Sequence, residues 1–246
     1  MSLVHDGTLA LTTTARSLLG DDLPLIDDAV TVEHLLDHTS GIGDYYDEEV
    51  LDDVSAYVLP VPVHTLDTTE AYLQVLDGYP QRDPPGTRFA YNNGGYVVLA
   101  VLAERSASTP FPDLVGERVC RPAGMTDTEF LRGDELPPRT AIGYLGDDGL
   151  RTNVLHLPVR GSGDGGIYST AADIHALWHT FEDTLLTHRH DTYGTGVWLQ
   201  PNGAHAMEGS DAGVSFRSVH HPTTGIIATV VSNTSEGAWP LARLLR

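Results

Sequence analysis

Tyr91 and Asn93 stand two residues apart in Pro85-Gly86-Thr87-Arg88-Phe89-Ala90-Tyr91-Asn92-Asn93, just ahead of an apolar run that begins at Tyr96. A tyrosine hydroxyl can shuttle a proton when a neighbouring cation lowers its pKa. An asparagine two residues on can hold a substrate carbonyl and a neighbouring ammonium group together, since its amide carries both donors and an acceptor. A turn exposes such a pair while a helix behind it holds them still. The same residues also suit a tyrosine corner that only packs a loop, and their chemistry alone leaves both readings open.

The elements around the pair follow from punctuation and periodicity. Met1–Asp6 reads as the end of a helix stopped by Gly7. Thr31 caps a short amphipathic helix through His38, which runs into the turn Thr39-Ser40-Gly41. Residues 44–64 are acidic and irregular, and Thr68–Asp77 has helical spacing. Asp83-Pro84-Pro85-Gly86 breaks the chain ahead of the Tyr91 turn and the helix Tyr96–Arg105. A further helix starts at Pro110-Phe111-Pro112 and ends near Gly124.

The second half changes character. Thr140–Tyr144, Thr152–Val159, Gly196–Leu199, Val214–His220 and Ile226–Asn233 are strand-like, a helix covers Ser169–Thr184 with Thr170 as cap, and Trp239–Leu245 closes the chain as a helix. The pattern is α+β, with an antiparallel sheet flanked by helices and no internal repeat. One domain is expected over residues 1–246, with a mostly helical lobe over about 28–140 and a sheet lobe over about 141–246.

Other constellations carry weaker chemistry. Gly161-Ser162-Gly163-Asp164-Gly165-Gly166 fits a dinucleotide-type glycine pattern, but no second βαβ unit follows, so a tight turn near the rim of the site is the better reading. His188-Arg189-His190-Asp191 has the wrong spacing for a metallo-hydrolase, and His175 and His179 lack the glutamate of a zinc helix. No metal is expected; these four histidines are read as surface or packing residues, and His34 and His38 as packing and turn residues. Cys120, the single cysteine, reads as a buried small hydrophobe.

Several segments together resemble the serine β-lactamase and penicillin-binding protein family, in its class C, D,D-peptidase and esterase branch. They are Val30–Gly41, the Tyr91 turn, Pro122–Thr128, Gly165–Asp173 and Gly209–Phe216, in family order. The resemblance implies a cofactor-free serine hydrolase that forms an acyl-enzyme on a small ester or amide. It implies Tyr91 as proton shuttle, Asn93 as substrate holder and the Ser210 N–H as an oxyanion donor. The family's strand motif, Lys or His, then Thr or Ser, then Gly, falls on Met207, Glu208 and Gly209, where only the glycine matches. Met207 cannot hold a substrate carboxylate and Glu208 would repel one, which points to neutral or amine-bearing substrates; Glu208 also suits a plain solvated strand position. The family's Ser-x-x-Lys cannot be present, because all 14 basic residues are arginine. Ser2, three residues before His5, lies too near its helix end to replace the nucleophile. The expectation is a chain lacking the N-terminal catalytic segment, with a non-catalytic binding homologue on the same fold as the alternative.

Composition bounds the partners. A formal net charge of −20 repels phosphate backbones, so nucleic acid is not an expected partner. No apolar run is long enough to cross a membrane and the N-terminus lacks a signal-peptide pattern, so a cytoplasmic location is expected.

Overall fold

The computed structural model describes residues 1–47, 56–146, 148–186 and 192–245. The helical part opens with α1 (Ser2–His5), α2 (Ala15–Leu19) and α3 (Val32–Leu36). Thr31 begins α3 with a reciprocal cap: its hydroxyl accepts from the His34 N–H and its own N–H donates to His34 Nδ1. His34 is therefore a capping residue, a finer role than packing. After α4 (Leu73–Leu76) comes α5 (Asn93–Ala107), the long helix behind Tyr91. Its residues Val98, Val101 and Leu102 are buried against Leu19, Val30, Val32 and Leu35, so one face of α5 is the floor of this core.

Helix α6 (Phe111–Val115), a π-helical stretch over Gly116–Cys120 and α7 (Arg121–Ala123) make one continuous run that buries Cys120 and ends at the left-handed Gly124. Helix α8 (Ala171–Leu185) starts at Thr170, whose hydroxyl accepts from the Asp173 N–H at 3.1 Å.

Among the described residues the sheet has four antiparallel strands in sequence order: β1 (Trp198–Leu199), β2 (His205–Asp211), β3 (Val214–His221) and β4 (Ile226–Ser232). Side-chain alternation divides its faces. Trp178 of α8 donates its indole N–H to Ser218 of β3 at 2.9 Å, so α8 covers one face. Ser215 accepts on the other face from the Ala238 N–H, just ahead of α9 (Trp239–Ala242). β4 is the outer strand away from β1, and it leaves Ile226 58% and Val231 60% exposed.

Two expectations shift. Thr140–Tyr144 and Thr152–Val159 are not strands among the described residues; Tyr144 makes single bridges to Thr152 and Thr234, because the glycines and polar residues between them give no continuous ladder. Thr68–Asp77 splits into a 3₁₀ turn at Glu70–Tyr72 followed by α4. β2 has no apolar alternation in Glu208-Gly209-Ser210-Asp211, so hydrophobic pattern alone passes over it, although the family resemblance implies a strand there.

Arginine ties the helical part together. The Arg105 guanidinium pairs with Glu70 through both carboxylate oxygens at 2.7 Å, reaches Asp22 at 2.7 Å and donates to the Leu18 and Leu19 carbonyls. Arg16 donates to four carbonyls of the 20–26 loop and pairs with Asp28. The flat five-donor fork makes these multi-point contacts possible.

Candidate active site

Tyr91 is held by a second turn, residues 38–46, that wraps the chain ahead of α5. The His38 carbonyl accepts from the Ala90 N–H at 2.8 Å, and His38 Nδ1 accepts from the Asn92 N–H at 3.0 Å. Asn92 is the N-cap of α5: its Oδ1 accepts from the Gly95 N–H at 2.6 Å, while its Nδ2 donates to the Ile42 carbonyl. Asp44 accepts from the N–H groups of Asn93 at 2.7 Å, Gly94 at 2.9 Å and Tyr46 at 3.1 Å. A carboxylate there answers both the unsatisfied donors and the positive end of α5. Burial pushes the Asp44 carboxyl up, and those hydrogen bonds pull it back.

The 38–46 turn takes its shape from two left-handed residues, His38 at φ 54° and Gly41 at φ 66°. A Cβ on Gly41 would meet the Asp83 carbonyl at 2.1 Å, so this crossing of the two segments admits only glycine.

An aromatic group surrounds the His38 ring. Tyr91 lies 4.4 Å away, and Tyr96 and Tyr193 each 4.8 Å, between ring centroids. Burial drives the His38 imidazole down to about 4, so at neutral pH it is uncharged. With Nδ1 accepting, its proton sits on Nε2, which is buried with no hydrogen-bond partner among the described residues, while the imidazole and Tyr193 ring planes stand at 70° to one another. His38 therefore cannot supply the cation that would lower a neighbouring tyrosine. Burial also raises the Tyr96 and Tyr193 hydroxyls well above their ordinary value, which removes both as proton shuttles near neutral pH. Tyr91 differs in being 39% exposed.

Trp198 links the Tyr91 turn to the sheet. Its ring stacks on Tyr91 at 5.8 Å, and its backbone is the register partner of Ala206, one residue before Met207. Along β2, Met207 pairs with Ser218 and shares the face that α8 covers. Glu208 and Ser210 lie on the opposite face, across from Arg217 and Ser215. Glu208 makes an ion pair with Arg217, so its charge is partly answered within the sheet, which weakens the repulsion argument drawn from the sequence. A Cβ on Gly209 would meet nothing within 4 Å, and Glu208, Gly209 and Ser210 are all exposed.

Asn93 is placed differently from the sequence expectation of a substrate holder. It is buried, and its Nδ2 donates to the Tyr46 carbonyl at 3.0 Å, so that donor fastens the 44–46 loop. Asp44 is the positioning residue that sequence reasoning missed; it lies in the acidic stretch that carries no periodic signal.

The other sequence candidates separate cleanly. Gly161 packs against Gly166 and Gly163 against the Tyr96 carbonyl, where a Cβ would stand 2.0 Å away, so the glycines serve close backbone crossings. Asp164 in that loop accepts from the Tyr45 hydroxyl, and burial raises its carboxyl to about 7. His175 meets Thr229 Oγ1 at 3.1 Å and His179 is exposed, while His188, His190 and Asp191 lie outside the described residues.

A sequence model of the family described as Beta-lactamase matches residues 1–244. The chain belongs to the serine β-lactamase and penicillin-binding protein family. Among solved structures it is similar to the penicillin binding protein from Bacillus halodurans, with a TM-score of 0.88, 36% identity and coverage of 99% of this chain and 80% of that one. Among curated proteins it is 32% identical to Protein Rv1367c of Mycobacterium tuberculosis over 197 residues, 70% of this chain and 47% of that one. It is 26% identical to a D-aminopeptidase of Cereibacter sphaeroides over 168 residues, 68% of this chain and 31% of that one. The chain thus spans less than half the length of either curated relative. No helix among the described residues of this β-lactamase family member is long and apolar enough to cross a membrane.

Proposed function

We propose that this chain carries the tyrosine side of a serine hydrolase that passes the acyl group of a small ester or amide to a serine and then to water, without a cofactor. The observation that carries the reading is Tyr91, exposed on a turn whose other polar groups are engaged in holding it. Tyr91 relays the proton from the attacking hydroxyl to the leaving group, and the Ser210 N–H helps hold the oxyanion. Asn93 acts mainly by fixing the turn. The serine and lysine of Ser-x-x-Lys are not among the 246 residues, so the reading applies to the polypeptide in which that motif precedes Tyr91.

The substrate is neutral or amine-bearing next to the scissile bond. Met207 offers no cation for a carboxylate, and Asp44, Asp47 and Asp83 line the cleft beside Tyr91 along with Arg82 and Arg88. The relative named D-aminopeptidase agrees with an amine-bearing substrate.

The test reads the DNA upstream of Met1 for an in-frame Ser-x-x-Lys and assays the polypeptide that includes one, with D-amino acid amides and nitrocefin as substrates. Tyr91→Phe is expected to lower kcat by about 100-fold or more with an unchanged melting temperature. Full activity in that variant would remove Tyr91 from the mechanism, and efficient nitrocefin turnover unchanged in Glu208→Gln would overturn the substrate reading. No upstream Ser-x-x-Lys and no labelling by a fluorophosphonate probe would leave a binding homologue instead.

A further inference from the structure

Away from Tyr91, three side chains from three elements converge between α8 and the sheet. His205 of β2 and His220 of β3 are direct register partners, so both rings project from the same face of the ladder. Glu182, near the C-terminal end of α8, reaches down onto them. Its Oε1 lies 2.9 Å from His205 Nδ1 and 2.5 Å from His220 Nδ1. One potential donor atom from each residue lies within 4.8 Å of the others. The site is sheltered, with the side chains 22%, 14% and 8% exposed for Glu182, His205 and His220.

We propose that Glu182, His205 and His220 bind a divalent first-row transition metal ion of the zinc type. Two imidazole nitrogens and one carboxylate oxygen suit that class, and Ca²⁺ or Mg²⁺ would call for an oxygen-rich set. An ion about 2.0–2.1 Å from each ligand in tetrahedral geometry separates its ligands by roughly 3.3 Å. The two Glu182–histidine contacts therefore have to lengthen by less than about 1 Å, a movement within reach of the glutamate side chain on α8, with the two imidazole nitrogens within 4.8 Å of one another. In the bound form each imidazole gives its Nδ1 lone pair to the metal and keeps its ring proton on Nε2, and Glu182 binds through a carboxylate oxygen. Water fills the fourth position, because no other titratable ligand among the described residues joins the cluster. The ion would clamp α8 across β2 and β3, upstream of Met207–Ser210 on the same strand.

Neither acyl transfer nor the Tyr91 reading is needed for this proposal, so its test is a binding measurement. The chelator-treated 246-residue chain is titrated with Zn²⁺ by calorimetry, and Co²⁺ is followed by its visible spectrum. One equivalent of Zn²⁺, a raised melting temperature and the intense absorption of tetrahedral Co²⁺ are expected. Glu182→Gln, which preserves shape, and His205→Asn, at the more exposed histidine, should each weaken Zn²⁺ binding at least ~10-fold, the loss that weaker outer-shell changes already cause. His179→Asn, on the exposed side of α8, should leave it unchanged. Metal-free melting curves show that each variant is folded. No uptake by the parent chain, or the same affinity in Glu182→Gln and His205→Asn as in the parent, would overturn the site.

Discussion

The two halves of the candidate active site are built by opposite means. At the Tyr91 turn the backbone is anchored by the 38–46 segment and the helix cap: His38, Asp44 and Asn92 take up backbone N–H groups over Ala90–Gly95, and a glycine-only crossing locks the segment beneath. Along Met207–Ser210 the position comes from a strand ladder on one side, with β1 reaching only as far as Ala206 on the other. The difference shows where precision is stored. The tyrosine is aimed before any ligand arrives, whereas the strand presents exposed backbone whose remaining capacity is available to a ligand.

The sharpest way to break that contrast is Asp44→Ala. It strands two N–H groups at the buried start of α5 and one at Tyr46, and should cost about 4 kcal/mol in urea unfolding, since each bond to a charged acceptor is a strong one. Loss below about 1 kcal/mol would mean the turn is held by something else.

Acid attacks the same half through His38. Its folded pKa, about 4, lies below the unfolded value of 6.5, so the stability it contributes is complete above 6.5 and lost as pH falls through 4. Protonation also removes the Nδ1 acceptor from Asn92. The loss is roughly 3 kcal/mol at full protonation, and the slope of unfolding free energy between pH 7 and 4 should flatten in His38→Gln. Asp164 runs the other way: its raised carboxyl favours the fold below 3.8, and that contribution is lost as pH rises through 7. Asp164→Asn should therefore steepen the acid loss, which separates the two groups.

Asn92→Ala removes a helix cap and the Nδ2 bond to Ile42, and should lower stability by about 2 kcal/mol, read by thermal unfolding. The smallest effect belongs to the other half. Glu208→Gln breaks one partly exposed ion pair with Arg217 and should change stability by less than about 1 kcal/mol. An effect as large as that of Asp44→Ala would make the strand as prebuilt as the turn.

These two halves were not equally legible in the chain. The Tyr91 turn, the Thr31 cap, α5 and α8 carry local signals of cap residues, breakers and helical spacing, and the structure places them where those signals point, with boundaries moved by a few residues. Asp44 was hidden because its role depends on a contact with residue 93, far along the chain and invisible to any local window. β2 was hidden from hydrophobic pattern, though implied by the family resemblance, because a strand whose exposed end reads Glu-Gly-Ser-Asp has no period to detect. His205, His220 and Glu182 have no motif spacing at all; only antiparallel register and the position of α8 above it bring them together. The glycine pattern at 161–166 shows the converse, a legible motif whose purpose is backbone crossing.

Arg105 gives the helical half a further property. One guanidinium serves the end of α2, Asp22 and Glu70, so neither segment can fray without leaving charged donors dangling in the other. Local opening there is one cooperative event in place of two independent ones. The far end of α5, where Arg105 sits, is thereby kept from loosening, and Tyr91 is aimed from a helix secured at both of its ends.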